Sequence, residues 1–427
     1  MARALEVEAA IRSLAPGGDG VAHVEHEGER RAVFLPATAP GDIVRATVDL
    51  AQRPARGRVK KWLARGPDRV EPACPWSERC GGCDWMHLSL EAQRRAHLEH
   101  VLAALPAKWG EVDVRVHPAE HALAYRLRTR VHVRCERGGV TVGMREAGSH
   151  DPVEVDTCAV LLPQLEGARR GLAALFVSSR GHGDVQIAAG PGLRPVLEIR
   201  WTGEVAPACF GRLEESVTAG AIAGARVWMG DASRPAVVGD PTPWMRGADG
   251  EPLRLAPGGF GQASETMNAT LAQHVAGLVA PNCADKAVEL YAGAGNLSVL
   301  LARSLREPIL VESSREACDA ARANLTARGL VARVVEADAG AYSWPATTRL
   351  VVLDPPRTGA RAVCERLASS KVTRIVYVSC DTQTLARDLA LLDASYGVRS
   401  VAAFEMFPQT SHVETVVALE RAGRSRT

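Results

Sequence analysis

Three short polar segments in the last third of the chain carry residues that could act together in catalysis. The segment DPPR begins at Asp354, Cys380 follows the apolar run RIVYVS, and Glu414 closes the segment FPQTSHVE. Carbon 5 of a uracil is a poor nucleophile, but a thiolate that adds to carbon 6 makes it enolate-like and able to attack a sulfonium methyl group. A base must then remove the proton on carbon 5. The pattern therefore predicts Cys380 as nucleophile and Glu414 as general base.

Other interpretations of these segments stay open. His412 is the second candidate for the base, and a DPP turn by itself would suggest methylation of an exocyclic nitrogen of a base. Cytosine C5 is methylated by similar thiol chemistry, but RNA enzymes of that type usually carry a further cysteine where this chain has Pro355-Pro356. The helix TLARDLALL begins after Cys380, so its N-terminus should favour the thiolate. Asp381 should oppose this, unless its side chain caps the helix.

A glycine turn and two acids predict a site for a cofactor that contains a nucleoside. The turn YAGAGN, which includes Gly293, follows one strand, and Glu312 and Asp338 end the next two strands. Such a turn lets a ligand approach the backbone at the carboxyl edge of a parallel sheet. The third glycine of the dinucleotide fingerprint is missing, which argues against a pyrophosphate. Glu312 could bind the ribose hydroxyls and Asp338 could face the adenine, although both could instead cap helices. We expect S-adenosylmethionine.

A cysteine cluster near residue 80 predicts a metal site. The expected ligands are Cys74, Cys80, Cys83 and Cys158. Four thiolates suit either zinc or an iron–sulfur cluster, and the spacing departs from the paired CxxC of zinc ribbons. His87 could support the site or serve as an alternative zinc ligand, whereas Cys135 lies in a strand-like run and is expected to be structural. Simple packing is expected for Cys283, Cys318 and Cys364.

The elements that position these residues indicate an α/β protein of several parts. From about residue 270 apolar strands alternate with helices, which is typical of a doubly wound parallel sheet. Seven strands ending in a hairpin at 399–421 match the Rossmann-like methyltransferase variant of that fold. Residues 1–62 are short strands broken by glycine and proline, as in a small OB-like β-barrel. An amphipathic helix is predicted at about 89–105, and 111–258 is predicted to be α+β.

Composition limits the class of protein. The 427 residues are 46% hydrophobic and 23% charged, which suits a folded chain of two or three domains. No long apolar segment indicates a membrane span, so a cytosolic protein without a membrane partner is expected. The net charge is only +2, but the acid-free stretch between Asp49 and Asp68 holds six Arg and Lys residues. Such a run is suited to RNA phosphates, or it is a solvated linker.

Taken in order, these motifs resemble the TrmA/RumA-type family of RNA 5-methyluridine methyltransferases over nearly the whole chain. The matching segments are CGGCDWMHL, DTCAVLLPQL, FGQ, LYAGAGN, DPPRTG, YVSCD and FPQTSHVE. The resemblance implies a TRAM barrel at 1–65, a central α+β domain with a [4Fe-4S] cluster at 66–258 and a catalytic domain at 259–427. It implies Cys380 as nucleophile, Glu414 as base and the four cysteines named above as cluster ligands. Cofactor contacts implied by the same match are Gln262, Tyr291, Gly293, Asn296, Glu312, Asp338 and Asp354.

The resemblance also implies a structured RNA as substrate, with no obligate protein partner. Family members with an N-terminal TRAM barrel more often act on large-subunit ribosomal RNA, so 23S rRNA is favoured and transfer RNA is the alternative. A non-catalytic RNA-binding factor is a further alternative. The chain departs from the family pattern at Met86, Ser264 and Thr382, and none of these changes removes a group that the chemistry requires.

Overall fold

A closed five-stranded barrel forms the first part of the protein. The computed structural model describes residues 5–137, 139–149, 151–279 and 286–422. The barrel strands are β1 Leu5–Leu14, β2 Gly20–His26, β3 Glu29–Leu35, β4 Ile43–Asp49 and β5 Ala55–Ala64, in the order β1-β2-β3-β5-β4. Apolar and polar residues alternate in β4, where Val44, Ala46 and Val48 are fully buried. This barrel agrees with the one predicted from turn spacing.

A helix and a short strand connect the barrel to the rest of the chain. Helix α1 (Leu90–Ala104) begins after Ser89, whose hydroxyl accepts a hydrogen bond from the backbone N–H of Ala92. Its position agrees with the helix predicted at about 89–105. Strand β6 (Val114–His117) follows α1.

The central part is a seven-stranded sheet with helices on one face. Its elements are β7 Arg128–Glu136, β8 Gly139–Arg145, β9 Pro152–Val153, α2 Pro163–Leu175, β10 Arg180–Ala189, β11 Pro195–Glu204, α3 Pro207–Thr218, β12 Gly224–Met229 and β13 Ala236–Gly239. The strand order is β13-β12-β11-β10-β7-β8-β9. Helices α2 and α3 pack on the face that carries Val133, Val185 and Ile199. The hairpin of β14 (Trp244–Arg246) and β15 (Pro252–Arg254) follows.

The last part is a mainly parallel sheet between helices. Its elements are α4 Glu265–Val279, β16 Lys286–Leu290, α5 Ser298–Ser304, β17 Ile309–Glu312, α6 Arg315–Thr326, β18 Arg333–Glu336, β19 Thr348–Leu353, α7 Arg361–Ser369, β20 Arg374–Ser379, α8 Thr382–Leu392, β21 Tyr396–Phe404 and β22 Glu414–Arg421. The strand order is β18-β17-β16-β19-β20-β22-β21-β6. Only β22 runs antiparallel to its neighbours, as a closing hairpin requires.

The predicted strand number of this sheet is wrong, because β6 adds an eighth strand. Val114 pairs with Val401 and His117 with Phe404 in parallel register. The backbone of β21 would otherwise be an unpaired edge, and β6 supplies its hydrogen bonds. The residues at about 111–117 therefore belong to the sheet of the last part, and not to the central α+β region in which they were predicted. None of the helices in the described part of the chain combines the length and apolar character that a bilayer span requires.

Candidate functional site

Cys380 and Glu414 lie across adjacent strands at the carboxyl edge of the parallel sheet. Ser379, the last residue of β20, pairs with Thr415 of the antiparallel strand β22. Cys380 follows Ser379 directly, and Glu414 directly precedes Thr415. The two residues are therefore opposite each other, one position beyond the Ser379–Thr415 pair. Directly opposed residues of antiparallel strands bring their Cβ atoms to about 5 Å. The register therefore places a thiol beside a carboxyl group.

The ionisation of Cys380 differs from the prediction based on the helix N-terminus. Burial, followed by the nearby carboxyl groups of Glu414 and Asp354, raises the pKa of the Cys380 thiol to about 12. Arg357 acts in the opposite direction. Asp381 is the N-cap of α8, and its side chain accepts a 2.8 Å hydrogen bond from the N–H of Thr384. Asp381 thus caps the helix, as the sequence allowed, but the effect of burial on the pKa of Cys380 outweighs that of the helix end.

Three carboxyl groups lie in this region, of which Glu414 and Glu289 are buried and Asp354 is half-buried. Burial and the neighbouring Asp354 raise the pKa of Glu414 to about 8, and burial raises the pKa of Asp354 to about 7. The pKa of Glu289 is also raised to about 8 by burial, although the Ser298 hydroxyl donates a 2.7 Å hydrogen bond to its carboxylate. Among the described residues, no hydrogen-bond partner reaches Oε2 of Glu414. A carboxyl group with a pKa near neutrality and an open oxygen is well suited to accept a proton.

Arg357 and His412 form the outer side of the same site. The Arg357 guanidinium lies 3.1 Å from Nε2 of His412, and it favours the ionised forms of both Cys380 and Glu414. Burial lowers the pKa of His412, with Arg357 as the second cause. A neutral imidazole that already contacts a guanidinium is a weaker candidate for the base than Glu414.

The glycine turn after β16 has the backbone shape that close ligand approach requires. Tyr291, Gly293 and Gly295 have φ angles of 62°, 56° and 84°. A Cβ atom built on Gly293 would meet no heavy atom within 4 Å, so the space above the turn is open. The N–H of Gly293 donates a 2.9 Å hydrogen bond to the Glu312 carboxylate. The turn and the acid of the second strand are therefore joined at one sheet edge.

The two acids at this edge are not helix N-caps. Ser314 caps α6 through its own hydroxyl, while Glu312 accepts hydrogen bonds from the backbone N–H groups of Gly293 and Ser314. Asp338 closes a turn by accepting from the N–H of Ala341 at 2.9 Å. The Asp338 charge contributes to the raised pKa of Tyr291, after burial, so these two side chains are neighbours.

Asn296 and Gln262 are less accessible to a ligand than the space above Gly293. The side-chain amides of Asn296 and Asn268 exchange two hydrogen bonds, of 2.7 and 2.9 Å, which anchors the glycine turn to α4. Gln262 is buried and lines a small cavity against the central sheet. Its Oε1 atom has no hydrogen-bond partner in the described part of the chain. A buried acceptor without a partner is costly and is satisfied when a ligand supplies a donor.

The four predicted thiol ligands are neighbours. Cys74, Cys83 and Cys158 pack around Met86 and Tyr125, and Cys74 and Cys158 help to raise the pKa of both Cys80 and Cys83. Burial raises the pKa of Cys83 to about 12, and Arg126 opposes the shift. Within the described residues, no three His, Cys, Asp or Glu side chains converge closely enough to hold a single metal ion.

His87 does not join this cluster. Its Nε2 lies 3.2 Å from the backbone oxygen of Thr38 in the barrel, so the suggested role as an alternative zinc ligand is wrong. Cys135, Cys318 and Cys364 are buried, in line with the packing role expected of them, and Cys283 lies outside the described residues.

The loop that leads to Glu414, the predicted base, is held by the segment after the cysteines. Gln93 and Gln409 bond reciprocally, with Gln409 N–H to Gln93 Oε1 at 2.9 Å and Gln93 Nε2 to Gln409 Oε1 at 3.1 Å. Asp84 accepts from the N–H of Ser411 at 2.9 Å, and the Tyr125 hydroxyl donates to the backbone oxygen of Pro408. We name residues 405–413 the base loop. Its geometry is fixed by the segment that contains the cysteine cluster.

A cleft of about 1400 Å³ connects the barrel, the cysteine loop, the central sheet and the outer side of the site. Its arginines are Arg56, Arg58, Arg79, Arg126, Arg128, Arg130, Arg145 and Arg357. Its acids are Asp19, Glu78, Asp84, Glu146 and Asp184. Two of these acids are paired, Asp19 with Arg56 and Asp184 with Arg145. The exposed ring of Phe260 also lines the cleft, with the Arg128 guanidinium 5.7 Å from its centre.

Sequence reasoning missed Glu289, Arg357 and Gln93 as parts of the site. Glu289 could have been noticed as an acid inside the apolar run AVELYA, and Arg357 as the charged end of DPPR. Gln93 lies within a helix that is otherwise ordinary, and no local signal marks its partner Gln409.

The chain is similar to known proteins in sequence and in fold. The family model described as tRNA (Uracil-5-)-methyltransferase matches residues 333–422. A 23S rRNA (uracil(1939)-C(5))-methyltransferase RlmD from Chromohalobacter salexigens is 34% identical over 96% of this chain and 88% of the relative. The protein of the same name from Halomonas elongata is 34% identical over 98% of this chain and 90% of its own length.

A solved structure has the same fold over almost the whole chain. The Pyrococcus abyssi tRNA (uracil-54, C5)-methyltransferase, crystallised with S-adenosyl-L-homocysteine, superposes with a TM-score of 0.76 and 22% identity, covering 96% of this chain and 99% of that one. The sequence match to the rRNA enzymes, 34% identity over 96% and 98% of this chain, is extensive enough to assign the family. This chain belongs to the family of RNA 5-methyluridine methyltransferases.

Proposed function

We propose that this protein transfers a methyl group from S-adenosylmethionine to carbon 5 of a uracil in 23S rRNA. Family membership supports the reaction, and the names of relatives at 30–34% identity support the substrate. Those relatives are named for uracil 1939, and we propose the corresponding uracil as the target. Transfer RNA is the second candidate, since the matching family model is described by a tRNA activity.

The observation that carries the proposed mechanism is the proximity of Cys380 to Glu414, one residue beyond the paired Ser379 and Thr415, where the carboxyl group helps to raise the pKa of the thiol. The Cys380 thiolate would add to C6 of the uracil, which places negative charge on C5 and O4. C5 would then take the methyl group, whose bond to the sulfonium sulfur breaks. Glu414 would remove the C5 proton, and the C6–S bond would break to restore the thiolate.

The charges around the site suit this sequence of steps. Ionised Asp354 and Glu414 oppose the thiolate, but both have pKa values raised toward neutrality, so this opposition falls when either group is protonated. When ionised, Glu414 is a stronger base than an ordinary carboxylate for the same reason. Arg357 is the nearby cation that favours the ionised thiol.

S-adenosylmethionine supplies the electrophilic methyl group. The residues that we propose to hold it are Gln262, Tyr291, Gly293, Asn296, Glu312, Asp338 and Asp354. The open space above Gly293 and the joined Gly293–Glu312 pair support this assignment. Among the described residues, Oε1 of Gln262 and Oε2 of Glu414 have no hydrogen-bond partner, which supports a ligand contact at each of these two side chains.

We also propose that the four clustered thiols bind an iron–sulfur cluster. The four thiols do not converge on a single ion, but Cys74, Cys80 and Cys158 all lie near enough to Cys83 to affect its pKa, and four thiolates are the donor set of a larger iron–sulfur cluster. Such a group would stabilise the loop before Asp84, which in turn holds the base loop. Anaerobically purified protein should contain iron and sulfide and absorb broadly near 400 nm. A colourless, zinc-containing protein would contradict the assignment.

The arginine-lined cleft is the proposed path of the RNA, with the TRAM-like barrel as one wall. The division into domains at 1–65, 66–258 and 259–427, with β6 of the second range paired into the sheet of the third, and a cytosolic location belong to the same proposal. The cleft reaches from Arg56 and Arg58 on the barrel to Arg357 beside the catalytic thiol. An arginine-rich wall attracts phosphates, and an exposed aromatic ring such as Phe260 can stack on a base.

Methylation of defined transcripts tests the proposal. The protein and labelled S-adenosylmethionine should convert one uridine of unmodified 23S rRNA to 5-methyluridine, and 5-fluorouracil in the RNA should trap a covalent adduct. Cys380→Ala should abolish both results, whereas Cys135→Ala, on the central sheet, should retain them. Methylation of a tRNA transcript alone would favour the second candidate. Full activity of Cys380→Ala would refute the mechanism.

A further inference from the structure

The central sheet has a polar face on the side opposite helices α2 and α3. Residues alternate along its strands, so that Val131, Val185 and Ile199 point into the core while the intervening residues point outward. We name this side the outer sheet face. It is defined by Arg130, Arg134, Arg145, His132, His182, Asp184, Arg200 and Trp228.

Four of these residues form a continuous row across four strands. His132 pairs with Asp184, Asp184 with Arg200, and Arg200 with Trp228. At about 4.8 Å per strand the row spans roughly 14 Å. Asp184 accepts hydrogen bonds from Arg145 at 3.2 Å and is within 3.3 Å of His132. The acid in the row is therefore already paired with a guanidinium.

Arg200 is held in place while its charge stays available to solvent. Its side chain is 66% exposed and lies 3.7 Å from Glu198. Glu198 is already engaged by Arg226, at 2.7 and 3.0 Å, and by the indole N–H of Trp228, at 2.8 Å. The Arg200 guanidinium lies 5.5 Å from the centre of the Trp228 ring. The indole thus orients a cation that the nearby acid does not fully neutralise.

The row borders a depression that is continuous with the cleft. The depression has a volume of about 660 Å³ and is lined by His182, Arg200, Trp228 and Asp231 among others. His132, Arg145 and Asp184 line both the depression and the cleft. A chain leaving the cleft can therefore continue over the outer sheet face.

We propose that the outer sheet face binds the phosphate backbone of an RNA segment that lies outside the cleft and belongs to the same molecule as the target uracil. The inference rests on the proposed function. Two observations indicate RNA as the ligand of this face: the face is continuous with the cleft, and the guanidinium of Arg200 is exposed and oriented. The contact is to phosphate, because a guanidinium pairs with phosphate whatever the base sequence. The face therefore contributes to affinity for long RNA and leaves the chemistry at Cys380 unchanged.

Two RNAs and one matched pair of arginine variants test this. The probes are full-length 23S rRNA transcript and a short stem-loop that contains the target uracil. Arg200→Ala should weaken binding of the full-length transcript about 5- to 10-fold and reduce the slope of log K against log salt by about 1. Binding and methylation of the stem-loop should not change. Arg200→Lys should restore most of the affinity, and Arg361→Ala, an exposed arginine on α7, should behave as the unchanged protein.

Each other outcome refutes the inference. Equal weakening of both RNAs would mean that Arg200 acts within the cleft or on folding, and no weakening of either would mean that this face does not contact RNA. Failure of the proposed function is a separate result, because the unchanged protein would then form no 5-methyluridine and no 5-fluorouracil adduct with any transcript.

Discussion

Gln93 anchors the base loop through hydrogen bonds to Gln409, so Gln93→Met should destabilise that loop by an amount that can be calculated. Gln93 is buried, and its Nε2 lies 3.0–3.1 Å from the oxygens of Trp85, Leu88 and Gln409, while its Oε1 accepts from Gln409 N–H. Methionine keeps the volume but none of these hydrogen bonds. Each neutral bond contributes about 0.5–1.5 kcal/mol, and an unpaired buried N–H costs about 1–3 kcal/mol. Local opening of the base loop should therefore become easier by about 2–4 kcal/mol.

Hydrogen exchange measures this directly. A loss of 2 kcal/mol corresponds to about 30-fold faster exchange, and we expect it in peptides covering 405–413 but not in those covering the central sheet. The rate of methyl transfer should fall about tenfold or more, because Glu414 follows the loop and small misplacements are costly. Cofactor affinity should stay unchanged.

Gln273→Met is the matched control, since its single side-chain hydrogen bond, to the backbone oxygen of Ala248, is exposed. Exchange of the base loop and methyl transfer should both remain normal in that variant. Unchanged exchange and unchanged turnover in Gln93→Met would refute the claim that this glutamine positions the base.

Three further predictions concern the catalytic edge. Glu414→Gln should lower turnover by about 100-fold or more. A covalent complex with methylated RNA should accumulate and appear as a retarded band in denaturing gels. Rapid release of product from this variant would contradict the role of Glu414 as base. Gly293→Ala should weaken S-adenosylmethionine binding at least tenfold by calorimetry, because its φ of 56° is unfavourable for alanine and a Cβ would enter the open space; unchanged affinity would place the cofactor elsewhere. The raised pKa of Glu289, about 8 against an ordinary 4.5, means that its contribution to stability is complete below about pH 4.5 and lost as pH rises through 8. Between pH 5 and 8, the free energy of unfolding should therefore fall less steeply with pH in Glu289→Gln than in the unchanged protein. An identical pH dependence in the two proteins would refute this.

Much of the site was predictable because its parts are local in sequence. In a parallel sheet, the carboxyl ends of successive strands meet at one edge, so the order of Gly293, Glu312 and Cys380 along the chain was enough to predict that all three follow strands at the same edge. The amphipathic run at about 89–105 predicted α1 in the same local way.

The remainder depends on contacts between distant parts of the chain. The four residues of β6 have no pattern that selects β21 as partner, and Gln93 and Gln409 are 316 residues apart. The pKa of Cys380 was mispredicted for a related reason. The local helix end favours the thiolate, but burial and the carboxyl group across the strand dominate, and neither is visible from the residues next to Cys380.

The docking of β6 on β21 also has a consequence for how the protein is made. Strand β6 leaves the ribosome long before β21 exists, so the sheet that carries the thiol can be completed only after most of the polypeptide has been synthesised. A C-terminal fragment beginning at residue 259 would leave the backbone of Val401–Phe404 without its partner. We expect such a fragment to self-associate through that strand, and an added peptide corresponding to Val114–His117 to compete with the association.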